Sequence, residues 1–297
     1  MERNTEVLMS GSGGLEAEAD QSGNLSQTVV VIEAGRGWWD LRLSELWTNR
    51  ELMFFLIWRD LKVRYRQTAF GALWAVMQPV LLMLIFTATV GQIAKVGPDG
   101  VPYALFAFAG LVPWTLFASS LNGASNSLVA STSIITKVYF PRLLLPFAAM
   151  GSFIIDFLVS MLVLFAVMFY FGVSPSMGII WLPLLTLLIL VTALGVGTWL
   201  AAINVRYRDV KYVVPFLVQA WMFASPVIYT SNLIPPRWQW LYALNPMTGV
   251  LNGFRWALIG GAVPGESIFI SAAASVVVLI SSVVYFRHVE QTFADVI

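Results

Sequence analysis

Six apolar runs dominate this chain, at roughly 72–94, 102–129, 143–171, 178–203, 213–231 and 267–286. A helix that crosses a bilayer needs about 20 predominantly apolar residues, because hydrocarbon offers its backbone no outside hydrogen-bond partner. Composition agrees: 58% of the 297 residues are hydrophobic and 11% charged, where soluble domains run near 45–50% and 25%. An ordinary soluble enzyme is excluded. The expected fold is an all-α integral membrane protein with six transmembrane helices, residues 72–290.

The rest of the chain divides by charge. Residues 1–35 hold Glu2, Glu6, Glu16, Glu18, Asp20 and Glu33 against Arg3, among Ser, Gly and Asn. This composition predicts a disordered acidic tail. It also lacks the basic start and early apolar run of a signal peptide, so the first span is expected to serve as a retained targeting signal. With the N-terminus inside, fourteen of the 17 Lys+Arg fall on the cytoplasmic side, leaving Lys95, Arg237 and Arg255 outside. The positive-inside rule then places both termini in the cytoplasm. A near-balanced total of +1 argues against nucleic acid as a partner.

Segment 36–71 is read as a cytoplasmic interface element. Thr48-Asn49-Arg50-Glu51 has the capping-box pattern, with Thr48 as N-cap. The helix it opens, 50–66, carries an apolar face (Leu52, Phe55, Leu56, Trp58) and bases at Arg59, Lys62, Arg64 and Arg66. Such a helix lies in the headgroup plane with its bases toward lipid phosphate. Between spans five and six, short apolar pieces at Trp238–Leu244 and Met247–Ile259 are broken by Pro235-Pro236, Asn245-Pro246 and Gly260-Gly261. Pieces this short predict two re-entrant helices on the external side.

Chemistry is constrained by what the residues omit. There is no cysteine and one histidine, His288, so thiolate sites, a His-based metal site and a Ser-His-Asp triad are excluded within one chain; no metal site is expected. None of the lysines (Lys62, Lys95, Lys137, Lys211) follows a glycine, so the Gly-Lys-Ser/Thr of a phosphate-binding loop is absent, and nucleotide energy must come from another subunit. Only Asp156 sits deep within a span, between Ile155 and Phe157. Helix packing, a role in conduction or gating, and an incidental placement all fit it. A solitary carboxylate is poor support for a membrane-embedded transferase, and an ion-coupled carrier needs several buried charges along its route. Two short cytoplasmic loops mix bases with aromatics: Thr136-Lys137-Val138-Tyr139-Phe140-Pro141-Arg142 and Asn204-Val205-Arg206-Tyr207-Arg208-Asp209-Val210-Lys211-Tyr212. Protein contact and membership of the interfacial aromatic belt account equally well for those aromatics.

Four groups of stretches, in order over about residues 45–290, resemble polysaccharide-export ABC transporter permeases, the membrane subunits that export O-antigen, capsular polysaccharide or teichoic acid across bacterial inner membranes. Arg59-Asp60-Leu61-Lys62-Val63-Arg64-Tyr65-Arg66 is followed by Gly71-Ala72-Leu73-Trp74 and Gln78-Pro79. Pro113-Trp114 leads to Lys137-Val138-Tyr139-Phe140-Pro141-Arg142. Asn204-Val205-Arg206-Tyr207-Arg208-Asp209-Val210 leads to Ser225-Pro226-Val227-Ile228-Tyr229. Asn245-Pro246-Met247 leads to Phe254-Arg255. Drug- or lipid-exporting permeases of the same superfamily are the nearest alternative, distinguished by lacking the Lys-Val-Tyr-Phe-Pro-Arg and Arg-Asp-Leu-Lys stretches.

The resemblance implies a homodimer working with two P-loop ATPase subunits, which would bind ATP and Mg, so no cofactor is expected in this chain. It implies export of a lipid-linked glycan. Lys137, Val138, Tyr139, Phe140, Pro141 and Arg142, with Arg206, Tyr207, Arg208 and Asp209, would face the ATPase. Arg59, Lys62, Arg64 and Arg66 would meet the lipid headgroup. Trp74 and Gln78 on the first span, and Gln219, Trp221, Phe223, Ser225 and Tyr229 on the fifth, would line the pathway, with Asp156 a further candidate. Trp238, Trp240, Asn245, Pro246, Phe254 and Arg255 would form the external gate.

Overall fold

Long apolar runs with proline mostly at their ends give helices, and among the described residues no strand occurs. The computed structural model describes residues 47–66, 73–94, 100–137, 140–261 and 263–290, all in one compact unit, Trp38–Ile297. The acidic tail 1–35 lies outside the described residues, as do Val138 and Tyr139. The helices of eight or more residues are α1 (Arg50–Tyr65), α2 (Leu73–Ala94), α3 (Tyr103–Ala130), α4 (Leu144–Tyr170), α5 (Leu182–Arg206), α6 (Val210–Phe223), α7 (Pro236–Ala243), α8 (Pro246–Ile259) and α9 (Glu266–Glu290), and a single helical turn, Thr132–Ile135, follows α3.

Four helical stretches are long and apolar enough to cross a membrane: Tyr103–Ala130, Leu144–Tyr170, Met177–Arg206 and Glu266–Glu290. They coincide with the second, third, fourth and sixth predicted runs. α2 follows the first run and carries Pro79 inside it. The fifth run, 213–231, is helical over only part of its length. Its helix α6 has 14 residues and stops at Phe223, about 21 Å at 1.5 Å per residue, short of a hydrocarbon layer of about 30 Å. The stretch after Phe223 turns instead, where Ser225-Pro226 interrupts the helix.

α3 is the central helix, packed against α5, α4, α2, α8 and α6. Close approach depends on small residues, as expected where lipid removes most of the hydrophobic drive and packing takes over. A Cβ at Gly197 of α5 would lie 2.6 Å from the Cβ of Ala124 on α3, and one at Gly195 would lie 2.9 Å from the backbone nitrogen of Leu279 on α9. Two positions apart on a helix point to opposite sides, so these glycines seat α3 and α9 on either flank of α5. Polar ties reinforce the contacts. Thr192 and Ser275 hydroxyls meet at 2.8 Å between α5 and α9, and Asn204 Nδ2 donates to Ser125 O (3.0 Å) and Asn126 Oδ1 (3.2 Å) on α3. Such interhelical bonds contribute about 0.6 kcal/mol each on average.

Two cores result. The larger runs through α3, α4, α5, α6 and α8, with Phe108, Phe117 and Phe254 fully buried. A smaller one, at the end carrying the 131–143 loop, gathers Leu56, Leu128, Phe140, Leu143, Leu144 and Phe286. The capping box with Thr48 as N-cap does not form: the N-cap is Asn49, without a side-chain capping bond. Trp47 and Thr48 are themselves helical, whereas a capping residue needs extended backbone. The single apolar face predicted for α1 also divides. Leu56 is buried against α4, while Phe55 and Trp58 point outward, each 64% exposed.

Candidate functional site

Asp156 on α4 is not solitary. Arg64, at the last turn of α1, donates from Nη1 to Asp156 Oδ2 and from Nη2 to Ser152 Oγ, each at 2.9 Å. The Tyr65 hydroxyl donates to Asp156 Oδ1, and the Arg64 guanidinium lies 3.8 Å from the centre of the Phe153 ring. Both charged side chains are mostly shielded, 31% and 21% exposed. A charge-assisted pair with further hydrogen bonds is stronger than an exposed one. Arg64 therefore fastens α1 to α4. Arg59, which like Arg64 is predicted beside a lipid headgroup, pairs with its neighbour Asp60 at 2.8 Å. Lys62 and Arg66 remain exposed.

The ion pair borders a cleft of about 210 Å³ whose wall includes Trp74, Gln78, Thr115, Ser119 and Ser160. Gln78, Thr115, Ser119 and Phe153 also line a second cleft of about 530 Å³, which adds Asn122 of α3 and Gln219 of α6. The two clefts are neighbours that share those four residues. Thr115 and Asn122 donate to carbonyls of their own helix, Leu111 O and Ala118 O, both at 2.8 Å. Among the described residues, Gln78, Ser119 and Gln219 make no side-chain hydrogen bond to the protein. The result is a furrow lined by aromatic rings together with hydroxyl and amide groups. The structure thus brings together Trp74, Gln78, Asp156 and Gln219 of the predicted pathway. Thr115, Ser119 and Asn122 went unpredicted, although their i, i+4, i+7 spacing marks one polar stripe on an apolar helix.

Other predicted pathway residues serve the hairpin instead. Asn245 Oδ1 caps α8 by accepting from Met247 N (3.1 Å) and also accepts from Trp221 Nε1 (2.9 Å). Its Nδ2 donates to Ser225 Oγ at 2.9 Å. Asn at the N-cap with Pro at the next position is a favoured helix start, and here that cap also fastens α8 to α6. Tyr229 donates to Phe223 O (2.9 Å) and accepts from Tyr242 (3.0 Å). Trp221, Ser225 and Tyr229 are therefore structural ties, while Phe223 points outward.

The predicted gate residues separate in the same way. Trp238 and Trp240 on α7 are exposed, whereas Pro246, Phe254 and Arg255 are buried in α8. Arg255 Nη2 donates to Val227 O at 2.5 Å, and its guanidinium lies 3.9 Å from the centre of the Phe106 ring. Burial pulls its pKa below the ordinary value, though an arginine stays protonated near neutrality.

Of the two loops, the second is open: Arg206, Tyr207, Arg208 and Asp209 are all exposed. In the first, Lys137 is exposed and Pro141 half-buried, but Phe140 is only 6% exposed and belongs to the smaller core. Its ring anchors the loop and is not available as a contact surface. Arg142 Nη1 donates to Glu290 O of α9 at 2.7 Å, tying the same loop to the end of the chain's last helix.

Apolar helices long enough to cross lipid, with a polar furrow beside a shielded ion pair, define a multi-pass membrane protein. The chain belongs to the ABC-2 type transporter family, whose description matches residues 51–259. It is 30% identical over 256 residues to the O-antigen export system permease protein RfbA of Myxococcus xanthus, covering 85% of this chain and 98% of that protein. Identity to RfbA of Klebsiella pneumoniae is 27% over 248 residues, 83% and 95% of the two chains. The polysialic acid transport protein KpsM of Escherichia coli is 22% identical over 245 residues, 80% and 92% respectively.

Proposed function

We propose that this chain is the permease subunit of an ATP-driven exporter that moves a lipid-linked, O-antigen-like polysaccharide from the cytoplasm across a bacterial inner membrane. Two copies would join two ABC ATPase subunits, which hold ATP and Mg. The chain itself would supply a conduit and no catalytic group. In this reading it crosses six times with both termini in the cytoplasm. α2, and α6 continued by the turn segment after Phe223, complete the set of spans, and α7 and α8 dip into the outer leaflet. Near-complete matches to O-antigen export permeases and to a polysialic acid transport protein favour a glycan over a drug or lipid alone.

The furrow is the observation that carries the proposal. Sugars offer hydroxyls to amides and C–H faces to aromatic rings, and Gln78, Ser119 and Gln219 stand beside Trp74 and Trp114 without protein partners. A second copy facing this furrow would close it into a channel. Replacing Gln78, Ser119 and Gln219 together by alanine is expected to lower surface polysaccharide at least fivefold, with complex yield and ATPase rate unchanged. Export at the wild-type level would exclude the furrow as the route.

Headgroup capture falls to Lys62 and Arg66, because Arg64 is engaged by Asp156. Phosphate beside two exposed cations at headgroup depth gains about 1 kcal/mol per charge. The double substitution Lys62→Glu, Arg66→Glu is accordingly expected to weaken recovery of the lipid-linked substrate with the purified complex about tenfold or more. Unchanged recovery would remove both residues from that role. Lys137, Arg206, Tyr207, Arg208 and Asp209 present the surface proposed for ATPase docking, with Phe140 setting the height of the first loop.

A further inference from the structure

At the end of α3 opposite the 131–143 loop, a cavity of about 320 Å³ opens between the start of α3, the helices α7 and α8, and the loop into α9. Ligand sites run from about 300 to 1,000 Å³, so this one suits a single small unit and not a chain of them. Its lining includes the aromatic Phe106 and Trp256 and the polar Thr230, Ser231 and Asn252. Ser231 and Asn252 are already oriented toward each other, the amide nitrogen donating to the hydroxyl at 2.8 Å.

Arg255 makes the cavity unusual. It lines the cavity and is only 6% exposed. Among the described residues no carboxylate lies within 4.0 Å of it. A guanidinium has five N–H donors. Here Nη2 is well used on Val227 O at 2.5 Å, while Nε to Phe106 O and Nη1 to Tyr229 O are long, both 3.4 Å. Carbonyl dipoles and the Phe106 face offset part of the cost of burying this charge, but no formal counter-charge is present. A buried cation opening onto a polar cavity attracts an anion strongly, because low surrounding polarity magnifies the interaction.

We infer that this cavity binds one sugar unit bearing a carboxylate or a phosphate, with Arg255 receiving the charge and Ser231 and Asn252 the hydroxyls. The choice of a sugar rests on the export reading; the choice of an anion rests on Arg255 alone. On the external side the site would hold an arriving unit after it has crossed. Its charge comes either from an acidic residue within the glycan or from the phosphate at its lipid-linked end.

The test is calorimetric titration of the purified permease–ATPase complex with glucuronate, glucose 1-phosphate and glucose. At least one anionic probe is expected to bind ten times more tightly than glucose, and the stronger of the two identifies the source of the charge. Asn252→Ala should weaken that binding about fivefold, and Arg255→Gln should abolish the preference for anions. If Arg255→Gln does not assemble, Asn252→Ala still decides. Equal affinity for the three probes, no binding of any, or an unaffected Asn252→Ala variant overturns the proposal. Normal surface polysaccharide in cells deleted for this chain would instead refute the export reading and leave the titration standing.

Discussion

Replacement of Gly110 by alanine is expected to destabilise the protein by about 3–5 kcal/mol, enough to prevent recovery of an assembled complex. A Cβ at this position of α3 would lie 2.4 Å from the carbonyl oxygen of Val227 and 2.6 Å from Arg255 Nη2. Neither neighbour is a flexible chain end. One is backbone in the turn after α6, and the other is a buried guanidinium bonded to that same oxygen. Overpacking usually costs about 1–3 kcal/mol, and a strained or lost hydrogen bond from a charged donor adds about 1.5–3 kcal/mol. Thermal unfolding in detergent, with the yield of purified complex, measures the effect. Gly265→Ala is the control, because nothing lies within 4 Å of its added carbon. A Gly110→Ala protein as stable as the control would show that the turn yields freely.

The second large effect is expected at the ion pair. Arg64→Ala and Asp156→Ala should each lower surface polysaccharide at least tenfold and lower stability by about 1.5–3 kcal/mol, the range for hydrogen bonds to charged groups. Each single change leaves a shielded charge without its partner. The double variant is therefore expected to be less destabilised than the sum of the two, with a coupling of about 0.5–3 kcal/mol. Additive losses would mean that the contact at 2.9 Å contributes nothing of its own. Asp156→Asn separates charge from shape, since it keeps an acceptor for Tyr65 and removes the ionic attraction to Arg64.

Helix positions were mostly legible because bilayer thickness fixes a length and the apolar runs have that length. The hairpin was legible too, since Asn245-Pro246 both ends α7 and starts α8 by well-defined capping chemistry. Partnership was not legible. Asp156 reads as a lone acid, and its partner stands 92 positions away on an element outside the spans. The same limit hid the partner of Ser225 and Trp221, whose polar atoms both meet Asn245. Pathway residues on α3 escaped for a different reason. Thr115, Ser119 and Asn122 are modest polar residues in an apolar run, and only the packing shows which side of that helix lacks a neighbour.

The smaller core joins two parts of the chain that lie far apart in sequence. Phe140 of the first loop and Leu56 of α1 occupy one close-packed cluster, and close-packed interiors transmit displacement with little loss. Eight residues beyond Leu56, Arg64 grips Asp156 at the edge of the cleft. From the first loop to the cleft there is thus an unbroken series of close-packed and bonded side chains, Phe140 and Leu56 in one cluster and Arg64 on Asp156 at the far end of the same helix.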